Sequence, residues 1–145
     1  MARIMNSKSF DIEKTVIDLV MAENIDTKEQ IAEEIREKAK GEGIYPASIH
    51  DFYMARGRGE FQGFVVPAIN LRTLTYDLAC AIFRVAKKHS AGAFIFEIAK
   101  SEIGYTNQSP VEFASMLLAA AIKENYSGPV FIQGDHFQLK AANFK

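Results

Sequence analysis

Two ionisable side chains stand side by side at the end of an apolar run. Gly128-Pro129-Val130-Phe131-Ile132-Gln133-Gly134 leads directly into Asp135-His136. A carboxylate and an imidazole so placed can act as base and metal ligand, or as acid and base. The bland alternative is a loop or cap carboxylate beside a surface histidine. Neighbouring residues of a regular strand face opposite sides, so one pocket receives both only where the chain turns. Gly134 supplies the freedom for such a turn. Asn70 closes another apolar run and suits either a substrate hydrogen bond or a turn. Glu97 interrupts an apolar segment and needs a partner or water, with Arg72 and Lys100 as candidates. It reads equally as a structural ion pair or as a site residue. His50 and His89 have no partner at metal-ligand spacing.

These side chains need elements to position them. Phe64–Ile69, Ala93–Ile98 and Val130–Gln133 read as strands, although Pro67 removes a ladder donor from the first. Leu74, Leu78, Ile82 and Val85 form one stripe of a helix over Leu74–Lys88. Ser109-Pro110-Val111-Glu112 opens another helix with a serine cap, an early proline and a capping-box glutamate, and runs to about Lys123. The stretch from Ala99 to Gln108 reads as a polar loop, longer than most strand-to-helix connections. It matches neither a Walker loop nor the dinucleotide glycine pattern. The order is β-α-β-α-β, with crossovers of βαβ length that make the strands parallel. Asn70, the loop after Glu97 and Asp135-His136 then converge on one sheet edge.

Residues 1–60 read as a helical region. Phe10, Ile12, Val16, Ile17, Leu19 and Val20 face one way in a first helix. Asp26 and Glu29 fit a capping box for a second helix, which Gly41 and Gly43 end, and Ser48–Ala55 suggests a short third. Residues 61–145 carry the strands.

The chain has 145 residues, 48% of them hydrophobic and 24% charged, with a net charge of -1. One domain with a proper core is expected. The charge balance gives no reason to expect nucleic acid or an anionic membrane as partner. Arg56-Gly57-Arg58 reads as a solvated turn. The single Cys80 excludes an intrachain disulfide and fits a buried small hydrophobe. Met1–Asn6 lacks the apolar core of a signal peptide, and no apolar run is long enough to span a bilayer. A cytoplasmic protein is the default expectation.

The order of features from about Gly63 to Phe137 resembles the start of a class II, zinc-dependent fructose-bisphosphate aldolase, a TIM (β/α)8 barrel. Val66-Pro67-Ala68-Ile69-Asn70 is similar to that family's first strand, and Pro129-Val130-Phe131-Ile132-Gln133-Gly134-Asp135-His136 to its third. Gln133-Gly134 and the glutamate of the second strand depart from the usual pattern and mark a divergent member. The resemblance implies an α/β fold: the first three strands of the barrel behind a helical N-terminal region. It implies Asp135 as the catalytic acid/base, His136 as a zinc ligand and Asn70 as a substrate-binding residue. The implied reaction is aldol cleavage of a phosphorylated ketose to dihydroxyacetone phosphate and an aldehyde, a step of carbohydrate metabolism. A barrel of this kind takes about 250 residues. The expectation is therefore an N-terminal portion, its zinc needing further ligands from outside this chain, and no aldolase activity on its own.

Two other classes stand beside this one. One is a non-catalytic companion or phosphosugar-binding subunit with an aldolase-like barrel. The other is a small α/β interaction module, possible as a homo-oligomer, in which an exposed edge on the last strand invites a partner or a second copy.

Overall fold

The computed structural model describes residues 10–138; the Met1–Asn6 stretch, read as lacking a signal peptide's apolar core, lies outside them. Six helices and a four-stranded sheet follow in the order α1 (Ile12–Met21), α2 (Ile25–Gly41), β1 (Ile44–Ala47), α3 (His50–Gly57), β2 (Ala68–Asn70), α4 (Thr75–Lys88), β3 (Ile95–Ala99), α5 (Lys100–Thr106), α6 (Pro110–Lys123) and β4 (Gly128–Asp135). The chain is a mixed α/β protein. Its sheet is wholly parallel, with strand order β1-β4-β3-β2.

Strand β1 lies inside the region expected to be helical. Four residues with a proline carry no periodic signal, yet Ile44–Ala47 pairs in register with Gly128–Phe131 of β4. Pro46 is tolerated because β1 is an edge strand. The pairing also corrects the expectation of an exposed edge on the last strand: β4 is central, and β1 and β2 are the edges. The strand expected over Phe64–Ile69 begins only at Ala68. Pro67 stands just outside it and contributes what a proline can, a carbonyl that accepts the Ile95 amide at 2.9 Å.

Apolar side chains of the sheet divide between two faces. Phe96, Ile98, Val130 and Ile44 join the main core with Val16, Leu19, Ile35, Ala39, Phe83 and most of α6. Helix α6 is buried around almost its whole girth, from Phe113 through Ile122, because α1, α2 and α4 all pack against it. Cys80 lies in this core, where burial pushes its thiol up. The opposite face has a smaller cluster, in which Ile49, Phe52, Phe64 and Val66 cover Ile95 and Phe131. Beyond that cluster, toward the carboxyl ends of the strands, this face turns polar.

Local chemistry sets the helix ends. Ser109 Oγ accepts the Glu112 amide at 3.1 Å, as its cap position requires, and Pro110 takes the first helical position. The Glu112 carboxylate does not complete the box; it accepts from Lys28 Nζ at 2.6 Å and ties α6 to α2. The cap of α2 is Asn24, whose side chain accepts the Asp26 amide at 2.7 Å, so Asp26 lies in the first turn and is not the cap. Of the apolar face proposed for α1, Val16 and Leu19 are buried, whereas Ile17 and Val20 are exposed.

Candidate active site at the carboxyl edge of the sheet

Parallel strands end together, and ligands of such sheets bind beyond their carboxyl ends. Residues paired across parallel strands share a face, and here Asn70, Glu97 and Gln133 are in register, with Asp135 paired to Ala99 one step further on. A polar row therefore runs across β2, β3 and β4 and rises to Asp135. Within it, Asn70 Nδ2 lies 3.5 Å from Asp135 Oδ2, so side chains 65 residues apart in sequence meet at the edge.

Glu102 holds this edge together. The residue is only 2% exposed, and its carboxylate accepts from three donors on three segments. The Ala99 amide reaches Oε2 at 2.8 Å, Asn70 Nδ2 reaches Oε2 at 3.2 Å and Arg72 Nε reaches Oε1 at 2.7 Å. Burial by itself would raise this carboxyl's pKa, but the Ala99 amide, Arg72 and Asn70 outweigh it and hold the group below the ordinary carboxylate value. The segment that carries Glu102 is helix α5, where a loop was expected. Lys100–Thr106 has no apolar stripe to announce it. It forms because Glu102, at the third helical position, reaches back to the Ala99 amide, and because Asn107 closes the other end in the left-handed conformation at φ 52°. Only half a capping box is present, since Ala99 has no side-chain acceptor.

Glu97 takes a partner other than those expected. It accepts from Gln133 Nε2 on the neighbouring strand, while Arg72 goes to Glu102. Register explains the exchange: Gln133 stands directly beside Glu97 on β4.

His136 follows at the strand end. Its Nδ1 lies 2.6 Å from Asp135 Oδ1, and its side chain is 80% exposed against 29% for Asp135. The turn that lets both side chains share one side is made by His136 itself, at φ 52°. Gly134 serves a different purpose from the turn assigned to it. A Cβ there would lie 2.7 Å from the Phe137 ring, so the missing side chain makes room for that ring against the strand. Gly134→Ala is expected to cost about 1 kcal/mol, because half-exposed Phe137 can swing away. The NMR signals of the His136 ring should nevertheless move with the displaced turn, and unchanged signals would dissociate that ring packing from the turn.

With Nδ1 engaged by Asp135, the His136 nitrogen left to bind a metal is Nε2. A catalytic zinc takes three protein ligands. Among the described residues, no three His, Cys, Asp or Glu side chains are grouped to hold a metal ion. Of the further carboxylates of the edge, Glu102 is occupied by its three donors and Glu97 by Gln133. The described donor set does not fit a catalytic zinc by itself.

A cavity of about 710 Å³ opens on the helical side, between α1, α4 and α6. Of the strand-edge residues only Arg72 lines it, and it contains none of Asn70, Asp135 and His136. The polar edge is the better candidate for chemistry, because there a carboxylate, an amide and an imidazole converge from separate elements.

Fold and site together define a parallel α/β protein that presents an Asn-Asp-His group, braced by a buried glutamate, at the carboxyl edge of its sheet. The chain matches no family profile, no curated protein and no solved structure. Among the described residues no helix is long and apolar enough to cross a membrane.

Proposed function

We propose that the carboxyl edge binds a phosphorylated ketose and supplies the acid/base half of a class II aldolase-type site. The observation that carries this reading is the approach of Asn70 Nδ2 to Asp135 Oδ2 at 3.5 Å. It brings the ends of the two strands with the family-like motifs into one place. In the proposed reaction Asp135 accepts the proton of the substrate hydroxyl. That O–H bond breaks as the carbonyl of the departing aldehyde forms, and the carbon–carbon electron pair passes to the dihydroxyacetone phosphate fragment. Asn70 keeps one amide hydrogen on Glu102 and turns the other, which faces Asp135 at 3.5 Å, to a substrate oxygen. His136, paired through Nδ1, keeps the Asp135 carboxylate oriented. The class II reading also places zinc at His136, with its other ligands drawn from outside the described residues. The barrel and a cytoplasmic setting belong to the same proposal.

One observation favours a second reading, a phosphosugar-binding companion without the chemistry, but on an open sheet in place of the aldolase-like barrel expected for it. In a barrel wound in sequence order, the free side of β4 receives the following strand, yet here β1 occupies it. Open-sheet binding at the carboxyl edge needs no such closure.

Titration of the chain with dihydroxyacetone phosphate, followed by NMR, tests the shared part. Saturable shifts of the Asn70 side-chain amide and the His136 ring are expected, and Asn70→Ala should weaken binding by about tenfold. No response from these two residues would sink both readings. The chain alone is expected to show no cleavage of fructose 1,6-bisphosphate. Measurable cleavage that disappears in Asp135→Asn would overturn that expectation and exclude the companion reading.

A further inference from the structure

The buried Glu102 has no role in the reaction as written, yet it touches both donors of the edge. We propose that Glu102 is a positioning residue that fixes the Arg72 guanidinium as a donor fork for the anionic group of a ligand, while it holds Asn70 on Asp135. A phosphate is the anion implied by the phosphoketose reading, on which that identity rests.

The geometry carries the argument. Asn70 has two amide hydrogens, and Glu102 Oε2 takes one at 3.2 Å, which turns the other toward Asp135. Arg72 gives its Nε hydrogen to Glu102 Oε1 at 2.7 Å. Its two terminal amino groups make no hydrogen bond among the described residues, and its side chain is 67% exposed. A guanidinium anchored at Nε offers the remaining hydrogens in a fixed fork, which suits two oxygens of one phosphate. The anchor is rigid because Glu102 is itself held by the Ala99 amide at the end of β3. Glutamine in its place keeps the shape but has one acceptor oxygen where the carboxylate has two. It cannot accept from the Ala99 amide, Asn70 and Arg72 in the present arrangement, and its amide nitrogen would face donors.

The test is a titration of the full chain with inorganic phosphate, recorded on the side-chain signals of Asn70 and Arg72. Saturable movement of the Arg72 guanidinium signals is expected in the unsubstituted chain. In Glu102→Gln the affinity should fall by at least about tenfold, and the Asn70 amide signals should lose their hydrogen-bonded position. Arg72→Lys, an exposed change that leaves the core alone, should lose affinity to a similar degree, so the proposal stays testable even if Glu102→Gln fails to fold. Phosphate that leaves Arg72 unmoved in the unsubstituted chain overturns the inference. So does equal binding by either variant. Because this probe has no carbonyl and no carbon–carbon bond, failure here leaves the response to dihydroxyacetone phosphate and the cleavage assay as separate results.

Discussion

Phe83→Ala is expected to destabilise the chain by about 3–5 kcal/mol, the range for deleting a fully buried aromatic ring. Phe83 is 0% exposed and is the hub of an aromatic group that joins α4 to the sheet. Its ring centroid lies 5.7 Å from Phe94, 5.4 Å from Phe96 and 4.8 Å from Tyr126. Alanine removes the transfer free energy of the ring, leaves a cavity, and gives up the edge and tilted contacts with all three partners. Phe96 cannot collapse into the space without bending β3, the strand that leads to the Ala99 and Glu102 end of the site. Urea unfolding should therefore show a large fall in midpoint at nearly constant slope. A loss below about 1 kcal/mol would mean that the core relaxes around the gap and that the aromatic group is not what fixes β3. Phe83→Leu, which fills most of the volume, should recover a large part of the loss.

Helix α4 and helix α6 were legible because their signals are local. For α4 the extent was legible but not the face: of Leu74, Leu78, Ile82 and Val85 only Ile82 packs against the core, the other three are exposed, and Ala79, Cys80 and Phe83 are the buried residues. For α6, Ser109, Pro110 and Glu112 stand where a helix start needs them. The apolar part of β4 was legible for a similar reason: Val130, Phe131 and Ile132 are buried or half-buried on both faces of a parallel sheet and so read as a continuous run. Strand β1 was not. Ile44–Ala47 owes its existence to a partner 84 residues away, and nothing within its four residues favours a strand over a turn. Helix α5 was hidden in the same way, since its start is secured by one glutamate and not by amphipathic spacing.

The site divides along the same line. The types and the sheet-edge placement of Asn70, Asp135 and His136 follow from strand-end motifs. Glu102 was passed over as one polar residue in a polar stretch. Its importance comes from burial and from donors on β2, on β3 and just after β2, none of which its own neighbours reveal. The available signal was its spacing, an acidic residue three positions beyond a strand-ending alanine, where a helix start puts its carboxylate on the first free amide. Glu97 shows the converse error. Sequence proximity suggested Lys100, but cross-strand register chose Gln133.

Glu102 also gives the chain a distinct response to acid. Its carboxyl is held below the ordinary glutamate value of 4.5. A group of this kind binds fewer protons folded than unfolded, so its stabilisation is fully present above the unfolded value and fades as the pH falls through the folded one. Protonation removes the charge that Arg72 and Asn70 address, and a protonated oxygen becomes a donor facing donors. Glu102→Gln is therefore expected to cost about 2 kcal/mol near neutral pH, from weakened charge-assisted hydrogen bonds and a buried donor left without its acceptor. That cost should shrink as the pH falls below the unfolded value and through the folded one, where the unsubstituted chain loses the same interactions. Urea unfolding of both proteins across this range provides the check: two curves separated near neutrality that converge in acid. Curves that stay parallel down to the lowest pH would show that the Glu102 charge is not what braces the edge. A hydrogen-bond network insensitive to that charge would then have to be carried by the Ala99 amide and the packing of α5 alone.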